Sequence, residues 1–149
     1  MKAKEVCHEE GRGHGERVLY VDDDELLVEL VTRTLERLGY RVSGFVSAEL
    51  ALAAFRARPQ HFDVVVTDLS MPRTSGFDLA EALQAIRPDV PIVMTSGYVK
   101  AEDQERAVRM GLRDLILKPD TIEELGRALD HLLNHAGNPK ENSKSDRLP

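Results

Sequence analysis

The sequence predicts an α/β fold in which one parallel sheet is covered by helices on both faces. Short β-rich runs alternate five times with segments of helical periodicity, and the runs at residues 64–66 and 115–117 are apolar without interruption. Consecutive parallel strands are joined by right-handed helical crossovers, and a central strand covered on both faces is apolar at every position. The length of 149 residues suits a single domain.

The first half of the pattern contains two strand–helix units. The β-rich run 17–21 precedes residues 22–39, where apolar residues recur at helical spacing and a glycine stands at the end, as in many helices. The predicted second strand is 40–45, and Ser47 can cap a helix over 48–57. The apolar stripe of the first helix consists of Leu27, Val31, Leu35 and Leu38.

Two more units follow in the middle of the chain. The third strand is predicted over 63–68, and the helix after it over 77–86, which stops before a proline. The fourth strand is predicted over 91–96 and its helix over 101–110. This helix has only two alanines, one valine and one methionine as apolar residues. We therefore expect it to bury little surface and to be the most mobile helix.

The fifth unit completes the alternation. Its strand is predicted over 114–118 and its helix over 122–134. Thr121 and Glu124 have the spacing of a capping box, in which each side chain satisfies a backbone amide of the first turn. The apolar stripe of this last helix consists of Ile122, Leu125, Leu129 and Leu132.

Composition and charge restrict the class of protein. Residues 1–16 and 136–149 are polar and aperiodic, so we expect flexible tails around a domain at 17–135. The formal net charge of −6 argues against direct nucleic-acid binding, because phosphate backbones need a basic surface. The single cysteine, Cys7, suits a reducing compartment. We find no signal peptide and no membrane span, and we expect a cytoplasmic protein.

Polar residues suited to metal and phosphate chemistry stand at the carboxyl ends of four of the predicted strands. They are Asp22, Asp23 and Asp24 at the first, Asp68 at the third, Ser96 at the fourth and Lys118 at the fifth. Because the carboxyl ends of parallel strands meet at one edge of a sheet, we expect these side chains to lie together. Crowded carboxylates repel one another, and a hard cation such as Mg2+ relieves that repulsion. A lysine and a hydroxyl beside the metal suit a phosphoryl group that a carboxylate attacks.

Four motifs in order carry a resemblance to a known family. The segments "VLYVDDD", "VVVTDLSMP", "PIVMTSGY" and "LILKP" resemble the signatures of the receiver domain of two-component response regulators. The resemblance covers about residues 17–135 and includes Gly76, eight residues after Asp68. It implies a flavodoxin-like, doubly wound, five-stranded parallel sheet with strand order 2-1-3-4-5. It also implies a signalling domain rather than an enzyme that turns over a separate substrate.

The resemblance implies roles for the acidic residues. Asp68 matches the phosphoacceptor, which takes a phosphoryl group from phosphohistidine. Asp22 and Asp23 match the acid pair that positions Mg2+ together with Asp68, and Asp23 is the expected direct ligand. Ser70 is expected to offer its backbone carbonyl to the same metal.

The resemblance also implies a group of residues that respond to the phosphoryl group. Ser96 matches the hydroxyl that moves toward it, and Lys118 matches the family's lysine, with a cis peptide expected at Pro119. Leu115 occupies the position where the family often has an aromatic residue, so switching by an aromatic flip is not expected. Tyr98 is expected to lie at the mouth of the site, where its ring would shield the phosphoryl group from water.

Alternatives to an active receiver remain open at this point. An acid–x–acid motif after a first strand also begins haloacid-dehalogenase-type phosphatases, in which Asp22 would be the nucleophile and Asp24 the acid. A degenerate receiver used only for binding is a third hypothesis. For an active receiver the expected partner is a histidine kinase or a histidine phosphotransfer protein, and phosphorylation-dependent dimerisation is a further hypothesis. The sequence fits both a stand-alone regulator and the receiver of a hybrid histidine kinase.

Overall fold

A computed structural model describes residues 13–117 and 122–134 as a five-stranded parallel sheet flanked by five helices. The strands are β1 (Arg17–Val21), β2 (Arg41–Phe45), β3 (Val64–Asp68), β4 (Ser70–Met71), β5 (Thr74–Ser75), β6 (Ile92–Ser96) and β7 (Asp114–Leu117). The helices are α1 (Glu25–Arg37), α2 (Ala48–Ala57), α3 (Gly76–Ile86), α4 (Ala101–Met110) and α5 (Ile122–Asn134). The five predicted strand–helix units are therefore present, with ends that differ by a few residues.

The sheet has the order β2-β1-β3-β6-β7, and each neighbouring pair is parallel. The short strands β4 and β5 form a separate hairpin, so the order of the five long strands along the chain is the predicted 2-1-3-4-5. All residues of β3 and β6 are buried, as expected for central strands. The apolar run 115–117 predicts a central strand that is covered on both faces. This prediction was wrong, because β7 lies at the edge of the sheet and Leu117 is 44% exposed.

Alternating side chains of the strands build a core on each face of the sheet. On one face Val18 and Tyr20 pack with Val31 of α1 and Leu129 of α5. On the other face the strands pack against α2, α3 and α4. The buried residues that these three helices contribute are Ala48, Ala51, Phe55, Phe77, Leu79, Ala80, Leu83 and Ala107. The acidic residues at the carboxyl ends of β1 and β3 thus emerge from a sheet that is packed on both sides.

Side-chain caps fix the starts of three helices. Asp24 caps α1, and Ser47 caps α2 as predicted. Ser75 and Asp78 form a capping box at the start of α3, which the sequence analysis did not anticipate. Thr121 of the predicted fifth capping box lies outside the described residues. Since α1 and α3 begin directly beyond β1 and the β4–β5 hairpin, their caps also fix the loops at the carboxyl edge.

Residues 13–16 pack against the turn between α1 and β2, although they fall within the predicted flexible tail. The amide of Gly13 donates to the Leu38 carbonyl at 2.6 Å, and that of Gly15 donates to the Gly39 carbonyl at 2.8 Å. Gly39 has a φ of 106°, which favours glycine. Gly13 also lies against the ring of Tyr40. We call residues 13–16 the amino-terminal strap and assign them to the packed domain.

Among the described helices, none combines the length and the apolarity needed to cross a membrane.

Candidate functional site

Three carboxylates meet at the carboxyl edge of the sheet. Asp22 and Asp23 follow β1, and Asp68 is the last residue of the adjacent strand β3. One carboxylate oxygen from each lies within 4.8 Å of the others. Asp22 and Asp68 are buried, whereas Asp23 is exposed. A compact, oxygen-only set of anionic donors suits a hard divalent cation such as Mg2+, so the residues fit the predicted metal.

The innermost acid, Asp22, is held by donors on both of its oxygens. The Tyr20 hydroxyl donates to Oδ2 at 3.2 Å, and the Asp24 amide donates to Oδ1 at 3.0 Å. Burial, followed by the charge of Asp22, raises the pKa of Tyr20 well above its usual value. The phenol therefore remains a hydrogen-bond donor. Tyr20 was not among the predicted site residues, although a tyrosine within an apolar strand needs a partner for its hydroxyl.

A cleft of about 880 Å³ opens beside the acid cluster, and Asp23, Asp68, Ser70 and Ser96 line it. Asp22 is fully buried behind these residues. A nucleophile has to reach its substrate, and Asp22 does not line the cleft. The geometry therefore does not favour the haloacid-dehalogenase alternative with Asp22 as nucleophile. Asp68 ends a buried strand and lines the cleft.

The predicted switch hydroxyl, Ser96, already takes part in a local turn. Its Oγ donates to the Tyr98 carbonyl at 2.8 Å and accepts from the Tyr98 amide at 3.2 Å. Tyr98 lines the cleft and is 72% exposed. The neighbouring Thr95 is buried and pairs with Asp68 across the two central strands. Its hydroxyl has no hydrogen-bond partner among the described residues.

A tight backbone contact fixes the loop that follows Asp68. The β4–β5 hairpin pairs Ser70 with Ser75, and the Gly76 amide then donates to the Leu69 carbonyl at 2.7 Å. A Cβ at Gly76 would lie 2.5 Å from the Asp68 carbonyl oxygen. The sequence analysis noted Gly76 only by its spacing, and the structure supplies the steric reason for it.

The far wall of the cleft contains residues that the sequence analysis did not anticipate. The Arg106 guanidinium lies over the Phe77 ring, 4.4 Å from its centroid, and 3.9 Å from the Glu81 carboxylate. No sequence motif marks this contact, since α3 and α4 meet only in the folded chain.

Leu115 is half-buried and packs on the same side of the sheet as Phe77. Lys118 and Pro119 lie outside the described residues.

Comparisons with known proteins agree with this geometry. The profile of the "Response regulator receiver domain" family matches residues 18–130. Two-component response regulator ARR10 of Arabidopsis thaliana is 34% identical over 129 residues, which are 87% of this chain and 23% of that protein. The chain thus spans about a fifth of the length of the curated relatives it matches, at 23%, 20% and 19% for three of them.

Solved structures share the fold over most of the chain. The non-phosphorylated HemR receiver domain from Leptospira biflexa is 33% identical with a TM-score of 0.74, and the match covers 78% of this chain and 93% of that one. A Burkholderia pseudomallei response regulator, solved with a phosphorylated aspartic acid, a calcium ion and citrate, is 27% identical with a TM-score of 0.70. That match covers 88% of this chain and 75% of the other. The chain belongs to the response regulator receiver domain family, the signalling domains of two-component systems.

Proposed function

We propose that Asp68 accepts a phosphoryl group from the phosphohistidine of a histidine kinase or a histidine phosphotransfer protein. An oxygen of Asp68 forms a bond to phosphorus while the phosphorus–nitrogen bond of phosphohistidine breaks, and the electron pair returns to the imidazole. The observation that carries this proposal is the position of Asp68, which ends a buried strand, opens to the cleft and lies within the acid cluster.

Asp22, Asp23 and Asp68 are the residues that would hold Mg2+, together with the Ser70 backbone carbonyl. The carboxylate oxygens lie within 4.8 Å of one another, and Ser70 lines the same cleft. Bound Mg2+ supplies positive charge to the phosphoryl oxygens. The Burkholderia pseudomallei response regulator was solved with both a phosphorylated aspartic acid and a calcium ion, which supports a divalent cation in such a domain. Asp23, the exposed member of the cluster, is the one that a metal can reach directly from solvent.

Ser96 and Lys118 are the proposed contacts of the phosphoryl group. The Ser96 hydroxyl donates to a neutral carbonyl, that of Tyr98. A charged phosphoryl oxygen is the stronger acceptor, so phosphorylation of Asp68 should draw Ser96 away from Tyr98 and move the loop before α4. The role of Lys118 rests on its position after β7 in the sequence and on the family resemblance.

Acetyl phosphate tests the proposal without the unknown donor protein. In Mg2+, the wild-type chain should gain the mass of one phosphoryl group, and Asp68→Asn should gain none. Asp89→Asn is the matched control, because the Asp89 side chain is 86% exposed and lies just before the amino end of β6, away from the cleft. If Asp68→Asn is still phosphorylated while Asp22→Asn is not, Asp68 is not the acceptor.

A further inference from the structure

Tyr20 is a buried polar residue that the proposed chemistry leaves unused. It is 2% exposed and belongs to the core under α1 and α5, with Val31, Leu35 and Leu129 among its cluster. On β1 it lies two residues before Asp22 and therefore on the same face of the sheet. Because the ring is packed in the core, the position of its hydroxyl oxygen beneath the acid cluster is fixed, and only the hydroxyl hydrogen can rotate.

The hydroxyl and one backbone amide hold the two oxygens of Asp22 in place. The phenol donates to Oδ2 at 3.2 Å and the Asp24 amide donates to Oδ1 at 3.0 Å. The Asp24 side chain caps α1, so that amide is itself fixed by the start of the helix. Each carboxylate oxygen has two lone pairs, so an oxygen that accepts one hydrogen bond can also bind a metal or a metal-bound water. The plane of the carboxylate is thus set before any cation arrives.

Resting on the proposed function, we propose that Tyr20 is a positioning residue for Mg2+, whose hydroxyl holds the Asp22 carboxylate in the orientation that the ion requires. Mg2+ demands near-octahedral geometry with oxygens at about 2.0–2.1 Å, and it tolerates a rotated carboxylate poorly. Residues that orient metal ligands typically contribute about 10–100-fold to affinity. Asp23 is exposed and can adjust its side chain, whereas the buried Asp22 is oriented in part by the Tyr20 hydroxyl.

Tyr20→Phe removes the hydroxyl and keeps the ring, and Tyr40→Phe is a matched control. Tyr40 is also 2% exposed and belongs to the same core. Its hydroxyl has no hydrogen-bond partner among the described residues. A general softening of the core would affect both variants, whereas loss of carboxylate orientation would affect only Tyr20→Phe. Melting without metal would verify that both variants are folded.

Mg2+ is titrated without a phosphodonor, with the Asp24 amide resonance as the reporter, because that amide donates to Asp22. We expect about tenfold weaker Mg2+ binding in Tyr20→Phe and wild-type binding in Tyr40→Phe. With acetyl phosphate, the Mg2+ concentration for half-maximal phosphorylation should rise by the same factor. The rate at saturating Mg2+ should stay within about twofold of wild type, which a merely structural defect would not achieve.

The outcomes separate this inference from the proposed function. Unchanged or tighter Mg2+ binding in Tyr20→Phe overturns the role of Tyr20, and so does an equal loss in both variants. A wild-type chain that binds Mg2+ but is not phosphorylated overturns the proposed function, while the titration still decides the role of Tyr20. A wild-type chain that binds no Mg2+ overturns both.

Discussion

Replacing Gly76 by alanine should lower both the stability of the fold and the rate of phosphorylation, although Gly76 lies outside the cleft. The new Cβ would lie 2.5 Å from the Asp68 carbonyl oxygen and 3.0 Å from the Leu69 Cα. These neighbours are backbone atoms, so no side chain can rotate away. Ordinary contact begins at 3.4 Å, and α3 therefore has to retreat from β3 by about 0.9 Å. Because Asp68 lies in a central strand, the β4–β5 hairpin and the start of α3 should absorb most of the shift.

The substitution should change two measurable quantities, the melting midpoint and the rate of phosphorylation. Overpacking typically costs about 1–3 kcal/mol, which for a domain of this size lowers the melting midpoint by roughly 2–12 °C. The shifted hairpin carries Ser70, the proposed carbonyl ligand of the metal, and a misplacement near 1 Å can slow a reaction by about a hundredfold. Phosphorylation by acetyl phosphate should therefore be between about tenfold and a hundredfold slower. Gly97→Ala is the control for stability, because a Cβ at Gly97 meets nothing within 4 Å. A Gly76→Ala chain with wild-type melting and wild-type phosphorylation would refute the steric argument.

Three other perturbations test the metal cluster, the cleft mouth and α4. Mg2+ at a hundred times its Kd should stabilise the fold by about 2.7 kcal/mol, and Asp23→Asn should lose most of the corresponding rise in melting midpoint. Tyr98→Ala should speed dephosphorylation several-fold, about 1 kcal/mol of barrier, without changing Mg2+ affinity, because the ring borders the cleft. Hydrogen exchange should be fastest in α4, which buries only Ala107 and leaves Val108 74% exposed, and should slow on phosphorylation.

A specific outcome would contradict each of these three predictions. An equal Mg2+-induced shift in Asp23→Asn would remove Asp23 from the ligands. A phosphoryl lifetime in Tyr98→Ala that matches or exceeds wild type would show that the ring does not shield the site. Slowest exchange in α4 among the five helices would contradict the link between its small buried area and its mobility.

Local patterns predicted much of the fold and site. The valine run of β3 and the stripe of α1 followed from apolar periodicity, since burial on one or two faces leaves a regular trace in the chain. Asp22, Asp23 and Asp68 were expected to meet because parallel strands end at one edge, and their oxygens do lie close together.

Other features depend on contacts between distant segments, which no local pattern records. The apolar run of β7 suggested burial on both faces, but β7 lies at an edge of the sheet, where the strand order implied by the family resemblance places it. The contact of Arg106 with Phe77 and the packing of residues 13–16 likewise join segments far apart in sequence. The contact between the Tyr20 hydroxyl and Asp22 could have been predicted from the sequence, because strand alternation places the two residues on the same face of the sheet.

The amino-terminal strap has a mechanical consequence for anything attached ahead of it. A pull on the chain before Gly13 would load the hydrogen bonds to Leu38 and Gly39 before it reached β1. The acid cluster lies at the other end of that strand, roughly 17 Å away along five extended residues. The strap should therefore keep tension at the amino end from reaching the cleft. A label or a tethering surface joined there should leave the three carboxylates undisturbed.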